Sequence, residues 1–440
     1  MLFRSLIAGL AFSSAAIASL ERRGEGASAT LNLGELGLRN CARRRKRSLA
    51  TLGLLACGSF LIASIGVFRL DAVKGAERRA SGTGGFALIG ESAAPIVQDL
   101  NTKAGRDFFG MDDAVFAQVA FVPLRVRDGD EASCLNLNRA QRPRLLGVNP
   151  ESLAERQAFT FSKRGGDGAS GSPWRLLERG RGGETAAGTR RSPEEPGHQP
   201  EDAIPAIGDE ASIVWAMGKK VGDTLDYTDE HGRPFKVRIV GALANSVLQG
   251  SLIIAEDEFV TRFPSESGYR MFLIDAPWKE ADGIAGRLGR ALRDTGMELT
   301  PTPRRLAAFN AVQNTYLSTF QVLGGLGLLL GSAGLGVVVM RNVLERRGEL
   351  ALLLAVGFRR RALTVLVMSE HGGLLLIGLG VGILAALLAV LPSLLSPGTD
   401  VPYISLALTL GAVFISGFLW TWLATALALR GRLMDALRNE

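Results

Sequence analysis

The side chains best equipped for metal binding or nucleophilic chemistry are few in this chain. Cys41, Cys57 and Cys134 share no ligand spacing, and His198, His231 and His371 stand far apart, which argues against a zinc site or a disulfide framework. Cys134 reads as a lone buried or capped thiol, because a lipid anchor needs a cysteine beside a cleaved N-terminus. The Gly-Lys pair Gly218 and Lys219 has Ile213 where the first glycine of a phosphate-cradling loop belongs and Lys220 where the hydroxyl belongs, so ATP is not bound by a P-loop. No Gly-x-Ser-x-Gly elbow, His-Glu-x-x-His helix or pair of acidic residues within an apolar run occurs. Glu370 and His371 adjoin an apolar run, where a proton relay competes with interfacial snorkelling or a bond to a neighbouring helix; the second reading is preferred. No catalytic or metal-binding residue is assigned, and the chain is not read as an enzyme.

What must position the remaining residues is a membrane architecture. The chain has 440 residues, 47% hydrophobic and 21% charged, with 54 glycines and a mean hydropathy of +0.18, too apolar for a soluble enzyme of this size. The net charge of +7 is not a nucleic-acid footprint. Residues 69–315 hold 32 Lys and Arg against 34 Asp and Glu, while the rest of the chain holds 18 against 9, so the excess sits beside apolar runs. Four runs are free of charge: Ser48 to Phe68, Tyr316 to Met340, Gly372 to Leu391 and Tyr403 to Leu429. Each is long enough, at 1.5 Å per residue, to cross a hydrocarbon layer of about 30 Å.

Basic residues set the orientation. Arg43, Arg44, Arg45, Lys46 and Arg47 precede the first run as a topology anchor, with lipid head-group or partner binding as the lesser reading. Arg341, Arg346, Arg347 and Arg359 to Arg361 lie between the second and third runs, and the 392–402 loop has no Lys or Arg. The expected layout is an N-terminal segment (1–47), a transmembrane helix (48–68), an extracytoplasmic domain (69–315), a transmembrane helix (316–340) and a cytoplasmic loop (341–371). A third transmembrane helix (372–391), an outer loop (392–402), a fourth helix (403–429) and a cytoplasmic tail (430–440) complete it. The fold class is thus a membrane α-helical bundle of four transmembrane helices with a large α+β extracytoplasmic domain between the first and second. For the N-terminus three readings stay open: a signal peptide, a fifth span, or the trimmed end of a longer chain.

Within 69–315, Thr224 to Thr228 and Phe235 to Val240 flank a turn-rich stretch and read as a hairpin. Leu252 to Ala255 and Arg270 to Ile274 read as strands, Trp278 to Thr295 as an amphipathic helix, and the chain from Pro303 as one helix entering the second span. Residues 163–202, rich in Gly, Arg, Glu and Pro, read as a flexible insertion. Asn245, Ser246, Gln249 and Ser251 read as turn chemistry, with cargo contact as the alternative. Gly324, Gly327, Gly331 and Gly334, with Gly378 and Gly382, include small-x-x-x-small spacings suited to helix packing, in the bundle or at a dimer interface.

The most informative stretch is Arg341 to Glu370. Arg341 with Glu345 and Arg346 with Glu349 support a helix that continues the second span, Gly357 stops it, and Arg359 to Arg361 open the next helix. Arg346, Glu349, Leu350, Ala355, Val356 and Gly357, followed by Arg359 to Arg361, resemble the cytoplasmic loop of the FtsX-like (MacB-type) permease family of ABC transporters. The tail, Arg432 and Asp435 to Arg438, and the layout of one span, a large domain and three C-terminal spans are similar to the family too. Leu354 and Phe358 depart from the small and basic residues common there. If the N-terminus is a trimmed end, the chain resembles the C-terminal half of a longer tandem permease.

The resemblance implies that Arg346, Glu349, Leu350, Val356, Gly357, Phe358, Arg359 and Arg360 form a loop coupling the chain to a separate P-loop ATPase, which binds ATP and Mg. It implies a multi-pass protein of the bacterial inner membrane, with its C-terminus in the cytoplasm. Partners would be that ATPase, a second permease copy or homologue, membrane lipid and a periplasmic adaptor or cargo, with no nucleic acid. The function implied is mechanotransmission from ATP hydrolysis to the outer domain, for export or extraction of a lipoprotein, peptide or drug-like cargo. An envelope-sensing membrane scaffold that binds a cytoplasmic regulator without transport is the alternative.

Overall fold

The computed structural model describes residues 45–67, 72–111, 113–130, 132, 140–165, 171–178, 203–394 and 403–430. The chain divides into two compact units, one built from the sheet region between Leu70 and Gln313 and one from the helices at either end of the chain.

Among the described residues the sheet unit holds ten strands: β1 (Leu88–Ile96), β2 (Ala120–Arg127), β3 (Arg144–Val148), β4 (Phe161–Arg164), β5 (Ile204–Asp209), β6 (Thr224–Thr228), β7 (Pro234–Leu243), β8 (Ser251–Ala255), β9 (Tyr269–Asp275) and β10 (Glu298–Pro301). Their order is β10-β1-β9-β2-β3-β8-β5-β7-β4, with β6 beside β7. The sheet is mixed: β3 runs parallel to β8 with Leu145 opposite Leu252, and β5 runs parallel to β7, while the other pairs are antiparallel. The hairpin read from sequence is present, with Thr228 opposite Pro234 and Thr224 opposite Arg238. The strands read at 252–255 and 270–274 are β8 and β9. Helix α1 (Ala281–Ala291) forms the middle of the stretch read as an amphipathic helix, flanked by short 3₁₀ turns, and buries Ile284 and Leu288 against the sheet unit's core.

The flexible insertion is corrected in part. Lys163 and Arg164 belong to β4, and Pro173–Leu177 is a 3₁₀ turn whose Trp174 and Leu177 are fully buried. Trp174 meets Phe159 and Phe161 edge-on and donates its Nε1–H to the Ala158 carbonyl at 2.8 Å, so a large aromatic inside a polar, glycine-rich sequence anchors the strip. Residues 166–170 and 179–202 of that reading lie outside the described residues.

The helical unit contains α0, named for its place before the sheet (Arg45–Val67), the C-terminal part of α2 (Thr302–Glu345), α3 (Arg347–Ala355), α4 (Arg360–Leu394) and α5 (Tyr403–Arg430). Helix α2 starts on the sheet unit, where Thr302 Oγ1 donates to the Phe86 carbonyl, Leu306 is buried, and Arg305 pairs with Glu91 at 3.0 Å. Among the described residues, three helices are long and apolar enough to cross a membrane, over Thr302–Glu345, Arg360–Leu391 and Leu406–Leu427. The first run of the sequence reading lies in α0, whose apolar portion over Leu55–Ile65 is shorter.

Gly378 and Gly382 account for the close pairing of α4 with α0. A Cβ on Gly382 would stand 1.9 Å from Ser59 Oγ and 2.5 Å from the Ala56 carbonyl oxygen, and one on Gly378 would stand 2.9 Å from Leu55 Cβ. Only hydrogens in these places let the backbones approach so closely. Of the other glycines read as packing positions, a Cβ on Gly324 would stand 3.7 Å from Ile62 Cγ1, one on Gly327 or Gly334 would meet nothing within 4 Å, and Gly331 lies in the same helix.

Candidate functional site

The stretch between the second and third apolar runs folds as a helical elbow. Helix α2 ends at Glu345, the backbone bends at Arg346 (φ −104°), and α3 runs from Arg347 to Ala355. The continuous helix read from sequence is therefore interrupted at Arg346. Both ion pairs expected there form: Arg341 Nε donates to Glu345 Oε1 at 2.8 Å and Arg346 Nε to Glu349 Oε2 at 2.9 Å.

Gly357 ends α3 as its sequence position suggested. Its φ of +106° is open to glycine without strain, and its N–H donates to Leu354 O while the Phe358 N–H donates to Leu353 O, each at 3.0 Å. That pair of bonds is a Schellman cap, which turns the chain sharply and closes the last carbonyls of α3. Arg359 immediately precedes α4, its carbonyl accepting from the Ala362 N–H at 2.9 Å.

The turn sorts the predicted site residues into two sets. Val356 is 74% exposed and Phe358 42%; Leu352, Gly357, Arg359, Arg360 and Arg361 are exposed with them, making an apolar tip bordered by three guanidinium groups. Leu350, read as part of the coupling loop, is 2% exposed and packs among Val339, Val343, Leu363 and Val367. Arg346 also points inward, its side chain 18% exposed, while Glu349 is largely in solvent.

Sequence reasoning placed Glu370 and His371 at a helix edge but did not pair them. Arg346 Nη1 donates to Glu370 Oε2 at 3.0 Å, and Asn342 Nδ2 lies 3.3 Å from His371 Nε2. His371 Nδ1 faces the Val367 carbonyl at 3.0 Å, which fits a proton on Nδ1 and an acceptor at Nε2 for the Asn342 amide. The bond to a neighbouring helix, preferred over a proton relay, is present in both cases. The signal in the sequence was a pair of polar residues on one helix facing another pair, Asn342 and Arg346, spaced four apart.

The polar cluster at 245–251 is turn chemistry. Asn245 sits at φ +47° and accepts from Gln249 Nε2 at 3.2 Å, and the Ser246 N–H donates to Asp209 Oδ2 at 2.6 Å. Ser246, Gln249 and Ser251 are all buried, which leaves little of the cluster for cargo. Burial of Asp209 pushes its carboxyl up to about 6, against the opposing pull of the Ser246 and Ala211 N–H groups.

Of the basic anchor, Arg43 and Arg44 lie outside the described residues, and Arg45, Lys46 and Arg47 form the first turn of α0. Cys41, Cys134, His198, the 395–402 part of the outer loop and the Arg432 to Arg438 tail also lie outside them.

Residues 322–432, which take in the elbow and the helices on both sides of it, match the family model of the FtsX-like permease C-terminal domain. Over these residues the chain is similar to that domain. No curated protein matches the chain. The FtsX-like match and the three apolar helices among the described residues support a membrane-embedded permease of the ABC-transporter type in general, and that family implies an ABC ATPase as partner.

Proposed function

We propose that this FtsX-like chain is the permease subunit of a MacB-type ABC transporter, whose elbow docks on a separate cytoplasmic ATPase. The observation that carries the reading is the elbow itself: a nine-residue helix ended by a Schellman cap, with Leu352, Val356 and Phe358 exposed beside Arg359, Arg360 and Arg361. An isolated helix of that length is marginal in water, and an exposed apolar tip at a helix end is a surface that gains from being covered. ATP and Mg belong to the partner in this reading, since the chain has no P-loop.

The charge-free Ser48 to Phe68 run supplies a fourth crossing, and the basic residues at 43–47, 341–361 and 430–438 favour the elbow and the C-terminus lying in the cytoplasm of a bacterial cell. The unit between Leu70 and Gln313 is then the extracytoplasmic domain, and α2, which begins on that unit and ends at the elbow, carries ATPase motion outward in a dimer of permease chains. The cargo class is a lipoprotein, peptide or drug-like molecule engaged from the outer side.

The test is co-purification of the detergent-solubilised chain with a P-loop ATPase of the same cell, in wild type and in a Phe358→Asp, Arg360→Glu variant, recording ATP hydrolysis in each. An ATPase that binds the wild type and is lost from the variant supports coupling through the tip. Binding that ignores the variant, or no bound ATPase, overturns it and favours the envelope-sensing scaffold.

A further inference from the structure

The residue at the bend of the elbow has two carboxylates on one guanidinium. Arg346 reaches Glu349 of α3 through Nε at 2.9 Å and Glu370 of α4 through Nη1 at 3.0 Å. The two acids differ sharply in setting: the Glu349 side chain is 64% exposed, the Glu370 side chain 10%. One turn earlier on α2, Asn342 meets His371, so two successive polar rungs join the end of α2 to the same place on α4.

Helix α3 is too short to fix its own direction, since nine residues do not hold a helix in isolation. Its attachments to the bundle are the buried Leu350 and Ala351, the partly buried Leu353 and Leu354, and the guanidinium at its start. Apolar contacts are non-directional and leave the helix free to pivot. A planar fork between two carboxylates sets an angle, which is a property of arginine that lysine lacks.

We infer that Arg346 is a positioning residue: it locks the elbow to α4 from within and is not part of the face offered to a partner. The proposal rests on the permease reading only for its consequence, namely that the tip residues Val356, Phe358 and Arg359 to Arg361 are presented at a fixed angle and that motion of the elbow is passed to α4 through the Arg346 to Glu370 contact. The lock itself is a property of the chain alone.

Two measurements on the full chain in lipid nanodiscs test it. The first is amide hydrogen exchange over Gly348 to Val356, which needs no partner. Glu370→Gln removes the buried charge at constant shape, and breaking a buried pair in this way is expected to raise exchange of these amides by about tenfold or more. Arg346→Lys is expected to give a smaller rise, because an ammonium cannot span both acids. Amides of Leu252 to Ile254 in the sheet unit, unchanged in both variants, show that the fold is intact. Exchange over the elbow within about twofold of wild type in Glu370→Gln overturns the lock.

The second measurement is affinity for the ATPase. Glu370→Gln should hold it within about threefold, because the elbow stays mostly in its ordered state, whereas Phe358→Asp should weaken it by at least about tenfold with exchange unchanged. A loss in Glu370→Gln as large as in Phe358→Asp makes the Arg346 cluster a contact and overturns its positioning role. If no ATPase binds the wild type, the permease reading fails while the exchange result still decides the lock.

Discussion

The two units of this chain solve opposite packing problems with the same amino acids. In the sheet unit the aliphatic and aromatic side chains fill most of the interior and, the buried Asp209 apart, ion pairs such as Arg125 with Glu256 and Arg270 with Asp128 stay outside the fully buried core. In the helical unit large apolar side chains such as Leu330, Val337, Ile404 and Leu408 face outward. The interior there admits small and polar groups: Ser59, Ser332, Thr421 and Thr425 are buried, and their hydroxyls bond back to carbonyls of their own helices. Burying Leu gains nothing where the surroundings are as apolar as Leu, so close approach and internal hydrogen bonding take over as the forces of assembly. The solvent of each unit is written in which side chains it hides.

The largest effect should come from the aromatic that the sequence concealed. Trp174→Ala removes a fully buried side chain, two edge-on ring contacts and the bond to Ala158, and should destabilise the sheet unit by about 4 kcal/mol. Denaturant unfolding followed by near-ultraviolet circular dichroism measures it. A loss under about 1 kcal/mol would make the 171–178 strip a surface segment and blur the contrast with its polar flanks.

Second in size is a substitution that adds apolar surface to the helical unit. Gly382→Leu puts a branched side chain where a single Cβ already meets Ser59 and Ala56, and should cost about 3 kcal/mol or more by overpacking. Gly327→Leu, with open space within 4 Å, should change stability by less than about 0.5 kcal/mol. Thermal unfolding of the detergent-solubilised chain, read by size-exclusion recovery, compares the two. Equal effects would mean that glycine spacing does not set the α0 to α4 distance.

These two positions also mark how far the sequence could be read. Local rules sufficed where the information is local: the hairpin at 224–243 follows from alternation around a turn, the stop at Gly357 from one residue type, and the Arg341 to Glu345 pair from a four-residue spacing. Three of the four charge-free runs coincide with helices long and apolar enough to cross a membrane, because absence of charge over twenty residues is a strong signal. Strands β1 to β5 were not, since β3 pairs in parallel with β8 a hundred residues later and no local pattern announces such a partner. Trp174 was missed because composition averages over neighbours that do not share its fate. In the site, the exposed tip was legible from its residue types, but Leu350 and Arg346 turn inward on contacts with α4 that only the folded hairpin brings together.

A third test separates the units by pH. The Asp209 carboxyl is raised to about 6 by burial, above its ordinary value of 3.8 in the unfolded chain. The folded state therefore holds the proton more tightly, and this contribution to stability is complete below pH 4 and is lost as pH rises through about 6. The difference amounts to roughly 3 kcal/mol, by 1.36 kcal/mol per unit. Asp209→Asn, which cannot titrate, should flatten this part of the profile, so the wild-type minus variant difference between pH 4 and pH 7 isolates it. A difference that rises with pH would reverse the sign and put the charged form, held by Ser246 and Ala211, as the favoured one in the fold.

The smallest effects locate where water begins. Lys163 pairs with Glu210 at 2.9 Å on the sheet unit, and Arg341 with Glu345 at 2.8 Å where α2 ends, both with largely exposed cations. Exposed pairs gain little because water and salt screen them, so Lys163→Gln and Arg341→Gln should each cost less than about 0.5 kcal/mol at physiological ionic strength. The Lys163 result is the reference for a pair in water. If Arg341→Gln matches it, the end of α2 is hydrated and the apolar surroundings of the helical unit stop short of residue 341. If Arg341→Gln costs more than about 1 kcal/mol and does not respond to salt, that pair sits in a drier setting, and the boundary between the two kinds of packing lies closer to the bend at Arg346.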